Sequence, residues 1–144
     1  MTRCLVMGEA LIDVVTRPDG ASAEHVGGSP ANVAFGLAAL DHTVDLATWF
    51  GDDTRGDAIE ALCAAHGVRL TQGSRGAAHT SVALARLDPS GAATYEFDLD
   101  WRLAPVPDLA AYGHVHSGSI GAVLEPGGSA VRATMAAARA SSTV

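Results

Sequence analysis

Gly-Gly-Ser-Pro-Ala-Asn at 27–32, followed by Val-Ala-Phe-Gly-Leu-Ala-Ala-Leu at 33–40, is the clearest helix start in this sequence. Serine is a common helix cap, and Pro30 suits the first helical position because its missing N–H would have no partner there. The stretch therefore predicts a helix over 29–41 with Ser29 as its N-cap.

The two glycines before this helix have a structural and a functional interpretation. They allow the backbone to approach a ligand closely, and the free N–H groups of the helix start favour a polyhydroxylated or anionic ligand. A Gly-Gly pair before a helix is also compatible with a purely structural role. Neither a Walker loop nor Gly-x-Gly-x-x-Gly is present here, so the residues do not support nucleotide binding by either route.

Short apolar runs and capped helices alternate on both sides of this element. Thr54 is predicted to cap the next helix, and Gly67 to close it in the left-handed conformation that glycine tolerates. The predicted strands cover 3–8, 44–50 and 114–118, and the other predicted helices cover 54–66 and 128–140. This alternation predicts an α/β fold with a mostly parallel sheet and flanking helices.

A different pattern occupies residues 79–98. Apolar and polar residues alternate on both sides of the turn Asp-Pro-Ser-Gly at 88–91, as in a hairpin with one wet face. Together with 11–16 and 22–26, this hairpin is predicted to form a separate small antiparallel sheet. Ser-Thr-Val at 142–144 is predicted to begin one more strand of the main sheet.

Composition limits the classes of partner. The chain has 144 residues, enough for one compact domain, and a formal charge of −7, which disfavours nucleic acids and anionic membrane surfaces. Its apolar runs are too short for a membrane helix, so we expect a soluble cytoplasmic protein without a signal peptide. Cys4 and Cys63 are expected to be buried free thiols, and His114 and His116 lack the further ligands that a metal site needs.

Four motifs occur in this order along the chain: Gly8-Glu9-Ala-Leu-Ile-Asp13, Gly27-Gly28-Ser-Pro-Ala-Asn32-Val-Ala, Gly51-Asp52-Asp53 with Gly56, and His116-Ser-Gly-Ser-Ile120 with Glu125-Pro126. Each motif is weak alone, but their joint order is specific. Together they resemble the ribokinase-like carbohydrate kinases of the phosphofructokinase-B type, nearest their fructokinase-like members, and the resemblance spans essentially the whole chain. It implies a partial ribokinase-like (Rossmann-like) α/β sheet with a small β lid.

The resemblance implies a sugar site in this chain. Asp13 matches the family acid that accepts hydrogen bonds from sugar hydroxyls, a role that suits an ionised carboxylate. Gly27 and Gly28 match the glycines whose backbone lies against the sugar, and Asn32 matches an amide that binds its hydroxyls. The structural alternative for Asp13 is a capping or turn aspartate, and for Asn32 it is an ordinary polar residue in the first turn of a helix. Glu9 fits a structural role and a functional role equally well.

The resemblance implies that the lid segments near 11–26 and 79–98 cover the sugar, exclude water from it and can pair subunits. Phe97 or Trp101 is a candidate to lie against the apolar face of a sugar ring, with ordinary packing as the alternative. Fructokinase-like members continue with an arginine-bearing segment here, whereas this chain has Phe-Asp-Leu-Asp-Trp-Arg at 97–102. A nucleoside or a keto-deoxy acid therefore stays open as the substrate.

The resemblance also implies that residues 1–144 are the N-terminal part of a single carbohydrate-kinase domain. The family's Gly-Ala-Gly-Asp segment, which carries the catalytic base and the anion hole, has no counterpart here. We therefore expect no catalytic residue in this chain, and we expect the ATP and Mg²⁺ of the full-length enzyme to bind it poorly. The alternative is a natural short protein that binds sugar or pairs with other chains without catalysis. We also expect that the chain can form a homo-oligomer through the lid or the truncated side.

Overall fold

The computed structural model describes residues 2–144 and contains two four-stranded sheets. Two short 3₁₀ turns lie at Leu109–Ala111 and Ser119–Ala122. In chain order, the strands and α-helices are β1 (Arg3–Met7), β2 (Leu11–Thr16), β3 (Ser22–Gly27), α1 (Ser29–Ala39), β4 (Thr43–Ala47), α2 (Thr54–Ala65), β5 (Arg69–Leu70), β6 (Val82–Leu87), β7 (Ala93–Asp98), β8 (His114–Ser117) and α3 (Gly127–Ala138).

The main sheet has the strand order β5-β4-β1-β8, and every neighbouring pair is parallel, as predicted. The sequence missed the two-residue strand β5, which is too short to show a period. Beside β8, the Val115 N–H donates to the Thr143 carbonyl at 2.8 Å, and the Thr143 N–H donates to Gly113 at 3.0 Å. The predicted start of a further strand at 142–144 therefore lies parallel to β8.

Helices cover both faces of the main sheet, which explains why its strands are nearly continuous apolar runs. One core contains Val6, Val44 and Leu46 with the buried sides of α1 and α2, and the other contains Leu5 and Met7 with α3. Cys4 and Cys63 lie in the first core as free thiols, and burial raises the pKa of Cys63 to about 11. Within residues 2–144, no helix combines the length and apolar character needed to cross a bilayer.

The second sheet, which we call the lid, contains β3-β2-β6-β7 in that order. It is mixed, so the prediction of a purely antiparallel sheet was wrong. The two outer pairs are antiparallel hairpins, but β2 and β6 are parallel, with Ile12 opposite Val82. A parallel pair needs a long crossover connection, and here the chain between the strands passes through α1, β4 and α2.

Both predicted helix caps are shifted by one residue. Gly28 caps α1 with φ of 101°, Ser29 is already helical, and no side chain caps this end. Asp53 rather than Thr54 caps α2, because its carboxylate accepts a hydrogen bond from the Gly56 N–H at 2.8 Å. Gly67 follows α2 with φ of 69°, as predicted.

Candidate functional site

Asp13 and Gly27 lie side by side on the paired strands β2 and β3. In this pairing Leu11 is opposite Gly27 and Asp13 is opposite His25. A Cβ atom added to Gly27 would overlap Asp13 Oδ2, so only glycine leaves room for this carboxylate. The structure therefore brings together two residues that the sequence separates widely.

The Asp13 carboxylate is half-buried at the edge of the lid base. Burial raises its pKa, and the nearby His25 lowers it to a smaller extent. No hydrogen bond from another residue within 2–144 contributes to the pKa of this carboxylate. Its oxygens can therefore accept hydrogen bonds from hydroxyl groups.

Gly28 places the start of α1 directly on the connection between β1 and β2. Its φ of 101° is unfavourable for other residues, and an added Cβ would collide with the Glu9 carbonyl oxygen and lie 3.1 Å from Ala10 Cα. The Ala10 N–H is fixed by Thr48 Oγ1 at 2.9 Å. This close approach explains the second glycine of the pair.

Asn32 lies in the first turn of α1. Its N–H donates to the Gly28 carbonyl at 3.0 Å, while the residue as a whole is exposed. It is therefore one helical turn from the glycine pair and is accessible from solvent. Its predicted role toward a ligand stays a prediction.

Phe97 shares a face of the lid with Asp13. Asp13 is opposite Ala83 on β6, and Ala83 is opposite Phe97 on β7, so the three side chains point to the same side of the sheet. Phe97 is 57% exposed and stacks on Tyr95 with ring centroids 6.2 Å apart. The sequence did not single out Tyr95, although its spacing of two from Phe97 on a strand indicates the same face.

Trp101 lies in the protein interior. It is 3% exposed, and its indole Nε1–H donates to the Gly121 carbonyl at 2.8 Å. Of the two aromatic candidates, only Phe97 can reach a ligand on the lid face.

Glu9 is a buried carboxylate that holds backbone. It is 6% exposed, and its Oε2 accepts a hydrogen bond from the Gly121 N–H at 2.8 Å. Burial raises the pKa of Glu9, and hydrogen bonds from the backbone N–H groups of Glu9 and Gly121 oppose that shift in part. Glu9 thus joins the end of β1 to the turn Ser119–Ala122.

We expect Glu9→Gln to gain stability relative to the wild type as the pH rises from about 4 to 7. The folded pKa of Glu9 lies above the unfolded value of about 4.3, so the folded state loses stability as the pH rises through that window. Glutamine keeps the carbonyl acceptor and does not ionise. Urea unfolding of both proteins across this range tests the expectation, and a stability difference that does not change with pH would contradict it.

The Gly51-Asp52-Asp53 motif forms a joint between α2 and the lid. The Asp53 carboxylate accepts hydrogen bonds from the Thr80 N–H at 2.8 Å and the Thr80 hydroxyl at 2.6 Å, in addition to Gly56. Burial alone would raise the pKa of Asp53, but these hydrogen bonds outweigh it and lower the pKa. The Gly51 N–H also donates to Thr80 Oγ1 at 3.1 Å. These contacts fix the chain where it enters β6.

His114 and His116 lie on β8, and burial lowers the pKa of His116. Within residues 2–144, no group of three or more histidine, cysteine, aspartate or glutamate side chains is placed to hold a metal ion.

Taken together, Asp13, Gly27 and Gly28 form a corner at the base of the lid, next to the start of α1. It combines a carboxylate acceptor, the half-buried backbone of Gly28 and a helix N-terminus, and aromatic side chains lie further along the same lid face. This combination suits a ligand with several hydroxyl groups.

Relatives agree with this architecture. The model of the pfkB family carbohydrate kinases matches residues 1–143. A fructokinase from Klebsiella pneumoniae is 31% identical over 139 residues, which cover 92% of this chain and 45% of that protein. The crystal structure of a fructokinase from Xylella fastidiosa superposes with a TM-score of 0.79 at 25% identity, covering 99% of this chain and 48% of that chain.

A second Xylella fastidiosa fructokinase structure, with bound ATP, gives a TM-score of 0.77 at 24% identity and covers 99% of this chain and 47% of that chain. The chain thus spans about half the length of the relatives it matches. Because the family model covers nearly the whole sequence, the chain belongs to the pfkB family of carbohydrate kinases.

Proposed function

We propose that this chain is the sugar-binding half of an ATP-dependent monosaccharide kinase of the fructokinase type. The full-length enzyme would act in the cytoplasm and transfer the γ-phosphoryl group of ATP to a sugar hydroxyl. The observation that carries this proposal is the contact of the Asp13 carboxylate with Gly27, beside the Gly28 backbone, in a member of this family.

The residues of the site would bind and orient the sugar. Asp13 would accept hydrogen bonds from sugar hydroxyls, Gly27 and Gly28 would allow the ring to approach the backbone, and Asn32 would bind a further hydroxyl. Phe97 would cover an apolar ring face from the lid. By lying over the site, the lid would keep water away from the reacting hydroxyl.

Nucleotide chemistry belongs to the remainder of the proposed full-length enzyme. The fructokinase structure with ATP supports ATP as the phosphoryl donor, and Mg²⁺ would balance the phosphate charge. Phosphoryl transfer depends on positioning and electrostatic stabilisation of both substrates. We therefore expect the 144-residue chain alone to bind sugar without turning it over.

A coupled assay of ADP release tests this proposal on the full-length protein with a panel of monosaccharides, a nucleoside and a keto-deoxy acid. We expect D-fructose or a related monosaccharide to have the highest kcat/KM. If the enzyme prefers the nucleoside or the keto-deoxy acid, the protein is still a kinase, but the proposed monosaccharide substrate is wrong. No phosphorylation of any member of the panel would contradict the proposed function.

The exposed aromatic pair on the lid favours a second candidate, a short protein that binds sugar or pairs with other chains without catalysis. Tyr95 and Phe97 are 63% and 57% exposed, and such a surface is suited to association. Two measurements separate the candidates: the reading frame beyond Val144, and the intact mass of the natural protein compared with 14.6 kDa. Sedimentation over a concentration range tests pairing through the lid.

A further inference from the structure

Two arginines meet at the amino ends of the main sheet, at the opposite end of β1 from the candidate sugar site. Arg3 begins β1 and Arg69 begins β5, on either side of β4. Asp45 of β4 is opposite Leu5 on one side and Arg69 on the other, and Arg3 is two residues before Leu5. The side chains of Arg3, Asp45 and Arg69 therefore lie on one face of the sheet.

Asp45 is a buried carboxylate that holds both guanidinium groups. It is 4% exposed, and its two oxygens accept hydrogen bonds from Arg3 Nη2 at 2.6 Å and from Arg69 Nε at 2.8 Å. The Tyr112 hydroxyl donates to Oδ2 at 2.7 Å. Burial alone would raise the pKa of Asp45, but these hydrogen bonds outweigh it and lower the pKa. Two positive charges therefore share one negative charge.

Both arginines keep N–H groups for a further acceptor. A guanidinium has five N–H donors, and in the part of the chain that the structure describes, Asp45 is the only acceptor for either arginine. The side chains of Arg3 and Arg69 are 40% and 59% exposed. An anion from solvent can therefore reach donors that Asp45 already holds in position.

The two arginines line a cavity of about 330 Å³ beside the connection that precedes β8. Val106, Pro107 and Ala111 form apolar parts of its wall, and the Gln72 amide offers further donors. Asp108 also lines the cavity, but it is exposed, so water and salt screen its charge. The cavity thus combines cationic donors with an apolar wall.

We propose that this cavity binds a small phosphate monoester, with the phosphate between Arg3 and Arg69 and the organic part against Val106 and Pro107. A phosphate group has three acceptor oxygens, enough for both guanidinium groups and Gln72, whereas a single arginine can satisfy both oxygens of a carboxylate. The formal charge of −7 disfavours a membrane or a nucleic acid as the source of the phosphate.

This site is separate from the candidate sugar site. The strand β1, which is five residues or about 17 Å long, lies between them. Loss of the phosphate site would therefore leave the proposed sugar binding in place, and a chain that binds no sugar could still bind the ester.

Arg69→Gln tests the site. Arg3 and Tyr112 would remain on Asp45, so the fold should persist. Binding of glycerol 3-phosphate should weaken by about fivefold or more, because a charge-assisted hydrogen bond is lost. The affinity comes from a titration of the ¹⁵N-labelled chain at constant ionic strength, followed by amide shifts at 69–72 and by the Nε–H signal of Arg3.

Arg86→Gln is the matched control. The Arg86 side chain is 58% exposed and also pairs with a carboxylate, that of Glu96 at 3.7 Å, but it lies in the lid. This variant should bind glycerol 3-phosphate as the wild type does. If Arg69→Gln and Arg86→Gln bind the ester equally well, the proposed site is wrong.

Asp108→Asn should change the affinity in the opposite direction. Removal of a negative charge beside the cavity should strengthen binding of glycerol 3-phosphate by about two- to threefold. Asparagine tolerates the φ of 55° at this position, so the fold should be retained. An unchanged or weaker affinity would contradict a phosphate in this cavity.

Parallel titrations with inorganic phosphate and acetate test the class of ligand. We expect glycerol 3-phosphate to bind more tightly than inorganic phosphate, because its organic part contacts the apolar wall, and acetate to bind most weakly. Acetate that binds more tightly than the ester would contradict the choice of phosphate, and inorganic phosphate that binds as tightly would contradict the contact with the wall. Absence of saturable shifts at 69–72 with any of the three would overturn the site itself.

Discussion

Replacing Asp13 by alanine is expected to lower the affinity of the chain for its sugar by at least about tenfold, because each hydrogen bond to a charged group contributes roughly 1.5–3 kcal/mol. The carboxylate is partly buried against Gly27, so water replaces these bonds poorly in the bound state. In the full-length enzyme, the same change should lower kcat/KM for the physiological sugar by a similar or larger factor.

Asp19→Ala is a suitable control for this experiment. Asp19 lies in the exposed turn between β2 and β3, where its carboxylate accepts a hydrogen bond from the Ala21 N–H at 2.9 Å. Both variants lose one negative charge, but only Asp13 lies at the candidate site. If the two variants bind sugar equally well, Asp13 is a structural residue and the proposed site is wrong.

Gly28→Ala is expected to destabilise the chain by about 3 kcal/mol, from backbone strain and steric overlap together. Its φ of 101° excludes a relaxed alanine, and the new methyl group would collide with the Glu9 carbonyl oxygen. The collision would displace the start of α1 from the end of β1. Urea unfolding followed by circular dichroism measures the loss.

Gly36→Ala provides the matched control, because this glycine is exposed within α1 and a Cβ there meets nothing within 4 Å. Alanine is the better helix former, so this variant should gain up to about 1 kcal/mol. A Gly28→Ala protein as stable as the wild type would show that α1 does not need its close contact with the β1–β2 connection.

The local signals in the sequence predicted the main sheet and its helices well. Apolar runs located β1, β4 and β8, and the proline and glycine around α1 located its start to within one residue. These elements depend on side-chain patterns within a few neighbouring residues. The lid hairpins were predicted for the same reason, since the turn at 88–91 is encoded locally.

The features that the sequence missed depend on contacts between distant segments. The parallel pairing of β2 and β6 depends on the path of the intervening chain, which no local pattern records. The same holds for the link from Glu9 to Gly121, which joins residues 112 positions apart. Only the family resemblance placed Asp13 and Gly27 in one site, since strand periodicity does not specify which positions pair.

The most direct test of the central claim is a map of amide shifts in the ¹⁵N-labelled chain during titration with D-fructose. The proposed function predicts saturable shifts concentrated at Asp13, Gly27, Gly28 and Asn32, with smaller shifts in the lid near Phe97. Saturable shifts confined to a region remote from α1 and the lid, or none up to high millimolar sugar, would contradict the claim that this corner binds a monosaccharide.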